Sequence, residues 1–545
     1  MQLLIIPFLI LVLTTSLALG QDDTLRDRSE DSESLPPTQF VNPVAEGADP
    51  WVIRDPYANR YLWCMSEGNR AISVWTSPTL TSLGERHVIW KTPQTGPYSK
   101  EVWAPELHLI DERWYVYFAA SDGKNENHLA WVLQSETSDV LGKWTLHGPF
   151  ATGDGSDGKS PNIWAIDMTV LEHNGARFAI WSGWDAPGTD RQYLYIAPMK
   201  SPTELSGPRV QICNNADFLW ERTEETPESR GLHEGPQVLQ HNGRTFVLYS
   251  TAASWLPTYK LGMLELTGDN PLDPKSWKKS KEPVFQSTET TYGVGHSCFL
   301  KAENDQTWWH IFHAKQDRNP GWRRAIYVQP MEFQPDGTPE FGVPVAPGRP
   351  IPSPPSLSQR VLEFPFELSL RSPTPLDGWS YLGHQQLLMQ DGDGVHLGVR
   401  PQTPVNVYRS GEKLVLNDVV LNNFTASVSI LFQEGERDAG ILFRVSAPAV
   451  GYDSQRGYFA GIIPHSQLAV LGRMDGHSWK ELARAHVDFD PAKSQQLSVS
   501  CIDDRITVRL NGNAVLEHQD GTYSRGTAGI RVVDTHAVFS DFILE

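Results

Sequence analysis

Gly231–Ser250 reads GLHEGPQVLQHNGRTFVLYS: a polar opening, an apolar strand, an Asn-Gly turn at Asn242 and Gly243, and a second apolar strand. That order is the signature of a β-hairpin. The stretch also places one carboxylic acid, Glu234, where the first strand is about to enter a core. A single acid at a strand end reads as a solvated turn residue, because charged side chains are mostly exposed. Recurrence changes that reading.

The pattern recurs in ADPWVIRDPYANRYLWCMS from Ala48, WAPELHLIDERWYVYFAAS from Trp103, AIDMTVLEHNGARFAIWSG from Ala165 and GHSCFLKAENDQTWWHIFHA from Gly295. The polar residues that open the five units are Asp49, Glu106, Asp167, Glu234 and His296, separated by 57, 61, 67 and 62 positions. Near-constant spacing predicts one structural unit used five times. Two strands per hairpin and two more in the intervening stretches, such as QYLYIAPMK and YKLGMLEL, make four strands per unit, the blade of a β-propeller. The prediction is a five-bladed propeller over residues 40–347. Inner strands of a propeller line one axis, so acids far apart along the chain become neighbours there.

The remainder of the sequence sets the context. A formal net charge of -19 argues against a nucleic-acid partner, which needs Lys and Arg to displace counterions. Residues 1–20 are an apolar run ending in small residues, Ala18 and Gly20, and resemble a secretory signal peptide. The usual positive n-region is missing, and an uncleaved anchor is the alternative, although the run is short for a membrane span. Residues 21–39 are charged and apolar-poor, the composition of a flexible acidic lead-in. The expected location is secreted or periplasmic, with no stable membrane span after cleavage. The four cysteines, Cys64, Cys213, Cys298 and Cys501, lie far apart without CxxC spacing and define neither a disulfide scaffold nor a zinc site.

Residues 348–360 are rich in Pro and Ser and read as a stiff linker. Residues 361–545 hold recurring strands with turns between them and no helical period, which predicts a β-sandwich of jelly-roll type. The whole chain is therefore expected to be all-β. The sandwich is similar to laminin-G and concanavalin-like domains, and no clear row of aromatics marks it as a sugar binder, so a scaffold role is preferred.

Carboxyl groups crowded in a walled pocket cannot all ionise at ordinary pKa; one is pushed up and can donate a proton near neutrality. Two carboxyls with separated proton affinities are the equipment of glycoside hydrolysis. Trp51, Trp103, Trp164 and Trp255 lie near the acid-bearing strands and could stack on sugar rings, though blade-to-blade core is the commoner role for any one of them. In order along the chain, NPVAEGADPWVIRDP, WAPE, AIDMTVLEHNG, HEGPQVLQHNGRTFVLYS, YGVGHSCF and AIYVQPMEFQPDGTPEFGVPVAPG resemble glycoside hydrolase family 43.

The resemblance implies an inverting hydrolase of furanosides or xylosides. Asp49 then matches the general base, Asp167 the acid that orients the proton donor and raises its pKa, and Glu234 the general acid. It further implies that base and acid stand about 6.5 to 9.5 Å apart, leaving room for a water. Trp51, Trp103, Glu106 and Arg324 are candidate substrate-binding residues, with Arg324 preferred over Arg323 as the pocket arginine. His296 matches a histidine beside an axial water or ion, so a structural calcium is an open alternative; the chemistry itself requires no cofactor. GVGHSCF in place of a commoner form with Pro and Asn, and Trp51 where a smaller residue is frequent, bear on which sugar is taken rather than on the reaction type. The expected activity is that of an exo-acting α-L-arabinofuranosidase on arabinan, arabinoxylan or related oligosaccharides. Alternatives are a β-xylosidase, a non-catalytic carbohydrate-binding propeller, and a retaining fructan-cleaving propeller whose neighbouring motifs are missing.

Overall fold

The computed structural model describes residues 39–545 apart from 155–160, 303–306, 355–364, 375, 377, 384–386, 400–410, 417–418, 420, 436 and 447. The predicted leader, all but the last residue of the lead-in, and 355–360 of the predicted linker lie outside the described residues.

Five antiparallel sheets follow one another along the first part of the chain. Their first strands are Trp51–Arg54, Lys100–Ile110, Ala165–His173, His233–His241 and Tyr292–Lys301. Each touches the next, and the last touches the first, so the five close a ring around one axis. Behind each lie a second and a third strand, Tyr61–Glu67 and Ala71–Ser77 in blade 1, for example, and then an outermost one. Blade 5 borrows its outermost strand from the start of the chain: Ala45 pairs with Ile326 and Glu46 with Ala325. That exchange ties the ends of the ring together.

Alternation explains why these segments are strands. In Tyr61–Glu67, Leu62 and Cys64 join a core shared with Trp114, Val116 and Phe118 of blade 2. Tyr61, Trp63 and Met65 point the other way, into a core shared with Trp309, Ile311 and Val328 of blade 5. A middle strand thus carries apolar side chains on both faces, because each blade is packed between two others. Trp63, Trp75, Trp114 and Trp181 are fully buried and belong to this packing.

The second part is a β-sandwich of two antiparallel sheets. One is built around Thr535–Leu544, Phe424–Gly435 and Gln495–Ile502, the other around Thr527–Val532, Ala439–Ser446 and Arg456–Ile463. Ala426, Val428 and Ile430 of the first share a core with Ile441, Phe443 and Tyr458 of the second. Among the described residues of the sandwich, the exposed large apolar side chains are Met389 and Ile502, neither aromatic. All four cysteines are buried and free. No helix among the described residues is long and apolar enough to cross a membrane.

Candidate active site

One backbone device recurs at the mouth of the ring. Asp49, Ala104, Asp167, Gly235 and His296 each take a left-handed conformation, with φ of 51°, 42°, 54°, 54° and 48°. In blades 2 to 5 this residue lies in a break of register, between Trp103 and Glu106, Ile166 and Thr169, Glu234 and Gln237, and Gly295 and Cys298. Each is a β-bulge, which re-aims a side chain where an inner strand begins. A left-handed non-glycine residue costs roughly 1–2 kcal/mol, so repeating it marks the rim as a place where strain is tolerated for geometry.

The bulges correct the phase expected from the spacing. Asp49, Asp167 and His296 are equivalent, but blade 2 contributes Ala104 and blade 4 Gly235. Glu234 stands one residue before its bulge and Glu106 two after. Glycine at 235 avoids the strain that its four counterparts bear at a similar φ, and a Cβ there would crowd His296 Nδ1 at 3.1 Å.

Asp49 is the most heavily countered acid. Arg324 Nη1 lies 3.3 Å from its Oδ1, His296 Nδ1 3.3 Å and His313 Nδ1 3.2 Å. Burial alone would raise this carboxyl, but Arg324, His296 and His313 hold it far below the usual carboxylate range. Asp167 behaves in the opposite way. Burial, with repulsion from Glu234 and Asp49, pushes it up to about 7, against the opposing pull of His296 and of the Gly235 N–H that donates to Oδ2 at 2.9 Å. The crowding foreseen from the sequence therefore falls on Asp167. Burial would lower the proton affinity of His296, but Asp49, Asp167 and Glu234 raise it, whereas burial leaves His313 neutral, at about 4.

Glu234 is held by two side chains the repeat does not reveal. The Tyr259 hydroxyl donates to Oε1 at 2.8 Å and Gln192 Nε2 to Oε2 at 3.3 Å. Tyr259 also stacks on His313, with ring centroids 5.5 Å apart, and so links Glu234 to the surroundings of Asp49. At the start of the strand that carries Glu234, buried His233 pairs with Glu221 at 2.8 Å. Cys213, Glu221 and His233 cluster there as metal-ligating types. Glu221 is already engaged by Tyr249 and Lys279 as well, so its oxygens serve a hydrogen-bond network.

The other sequence candidates divide. Arg324 reaches Asp49, while Arg323 turns to Asp317 and Gln316. Glu106 is 2% exposed, and its oxygens are taken by Gln237 and His108, so it braces the ring and is not open to a substrate. Trp51 donates to the Leu107 carbonyl at 2.6 Å and packs on His108, joining blades 1 and 2. Trp103 stacks on His128 with centroids 3.8 Å apart. Trp164 stacks on Trp184 within a buried cluster.

An axial well that keeps one carboxyl ionised and another protonated, beside a third, is the equipment of a glycoside hydrolase. The comparisons agree. The family model for glycosyl hydrolases family 43 matches residues 40–339, and the chain belongs to that family. A model described as a 3-keto-alpha-glucoside-1,2-lyase-like domain matches residues 374–541, within the sandwich. The chain is 34% identical over 289 residues to an extracellular exo-alpha-(1->5)-L-arabinofuranosidase of Streptomyces chartreusis, covering 51% of this chain and 84% of that one. It is 31% identical over 327 residues to alpha-L-arabinofuranosidase 43 of Humicola insolens, covering 57% of this chain and 65% of the relative. The crystal structure of an alpha-L-arabinofuranosidase from Lactobacillus brevis superposes with a TM-score of 0.51 at 31% identity, covering 56% of this chain and 97% of that one.

Proposed function

We propose that the protein is an exported, exo-acting α-L-arabinofuranosidase that hydrolyses with inversion, removing arabinose units from arabinan, arabinoxylan or related oligosaccharides. The observation that carries this is the meeting of three carboxyls in one well, Asp49 paired with Arg324 and His296, and Asp167 accepting from the N–H of Gly235 next to Glu234. Asp49, kept ionised, takes a proton from the attacking water on one face of the sugar. Below about pH 7 Asp167 is protonated, so the Asp167 and Glu234 pair brings a proton to the reaction. Glu234, fixed by Tyr259 and Gln192, delivers it to the departing glycosidic oxygen. No step is assigned to a metal ion. Arg324 Nη1 and His296 Nδ1, each 3.3 Å from Asp49 Oδ1, hold the base in place. The likeness to two arabinofuranosidases at more than 30% identity supports the choice of sugar.

The test is hydrolysis of an aryl α-L-arabinofuranoside beside the matching β-xyloside, with proton NMR of the nascent sugar. Release of arabinose as the β anomer is expected. Retained configuration would overturn the mechanism, and preference for the xyloside the substrate.

The tuning of Asp167 also sets a pH dependence. The kcat/KM is expected to fall as pH rises through about 7, where Asp167 loses its proton. Asp167→Asn should lower activity and abolish that limb. A wild-type profile that stays flat well above neutrality would contradict the reading.

A further inference from the structure

Trp322 is 64% exposed, unlike the tryptophans buried between the blades. It lies in the blade 5 segment between Trp308–Lys315 and Arg324–Phe333, directly before Arg323 and Arg324. Its ring meets that of Trp255 with centroids 5.5 Å apart and planes tilted by 54°, and the Arg324 guanidinium stands 5.4 Å from its centroid. Trp255 comes from the blade 4 segment between Arg244–Thr251 and Lys260–Leu266. A backbone hydrogen bond from Gly321 N to the Trp255 carbonyl, 2.8 Å long, braces the two segments together.

Each segment ends in a residue of the well. Four positions after Trp255, Tyr259 donates to Glu234. Two positions after Trp322, Arg324 pairs with Asp49. The exposed ring is therefore tied to both catalytic carboxylates through short stretches of chain. A large aromatic surface left open beside a charged well is a binding surface. Its neighbours hold it in place, so little ordering is needed when a ligand arrives.

Building on the proposed function, we propose that Trp322, with Trp255 beside it, is a stacking platform for the neutral sugar on the leaving-group side of the scissile bond. An exo enzyme encloses the terminal arabinose in its well, so the next sugar lies at the rim, where Trp322 stands. The C–H face of that ring would cover the indole and hold the glycosidic oxygen toward Glu234.

The experiment measures binding in the inactive Glu234→Gln protein by titration calorimetry, with arabinose and with α-1,5-linked arabinotriose as probes. Adding Trp322→Ala is expected to weaken arabinotriose about tenfold, the change that uncovering one ring face carries, and to leave arabinose unchanged. Trp322→Phe should restore most of the loss. Unchanged arabinotriose binding would overturn the inference and leave the arabinofuranosidase reading standing. Equal weakening of both probes would place the effect on Arg324 and the well, and overturn it too. If the wild-type enzyme fails to cleave an aryl arabinofuranoside, the proposed function falls first and the platform with it.

Discussion

Asp49→Asn is expected to lower kcat on arabinofuranosides about a thousandfold, within the range that removal of a positioned base produces. The reason lies in what surrounds the carboxylate. A buried acid left to itself would keep its proton and could not accept another from water. Here Arg324, His296 and His313 converge on Oδ1 and keep the group ionised across the working range. Asparagine preserves the shape and an oxygen for Arg324 but cannot take up the proton. KM should stay within about threefold, because the interaction lost is one made in the transition state. Asp49→Ala adds a sharper control: azide, a small anionic nucleophile that needs no deprotonation, should restore turnover and yield the β-arabinosyl azide. A loss below about tenfold, or an alanine variant that azide does not rescue, would take the role of base away from Asp49.

The propeller was legible because burial on two sides writes itself into sequence. Middle strands packed between neighbours, such as Tyr61–Glu67 with Trp63 facing one way and Cys64 the other, carry apolar side chains on both faces and recur at near-constant intervals. Asp49, Asp167 and Glu234 stood out because each interrupts that pattern at a strand entrance. Spacing could not show which residue adopts the left-handed bulge. Aligning polar side chains puts Glu106 and Glu234 in phase with Asp49, whereas the backbone puts Ala104 and Gly235 there, and neither has a polar side chain to betray it. Gln192, Tyr259 and His313 come from third strands, loops and second strands, where polar residues have no repeat to lend them weight. The Ala45–Glu46 strand that closes the ring is too short for any periodicity.

Glu234→Ala is expected to divide substrates by their leaving group. Sugar leaving groups need protonation as the bond breaks, so kcat on an arabino-oligosaccharide should fall about a thousandfold or more. A dinitrophenolate departs without help, so kcat on the dinitrophenyl arabinofuranoside should fall about tenfold or less. A residue that merely shaped the well would slow both alike. The distinction is sharp here because Glu234 is gripped from both sides, by Tyr259 and Gln192, and removing its carboxyl leaves the left-handed turn at Gly235 and its bond to Asp167 in place. The substitution also has a second signature. Repulsion from Glu234 helps to raise Asp167, so without it Asp167 should ionise at lower pH, and any pH limb it sets on the activated substrate should move down from about 7. Equal losses on the two substrates, or a limb that does not move, would separate Glu234 from the proton and assign its delivery to another group in the well.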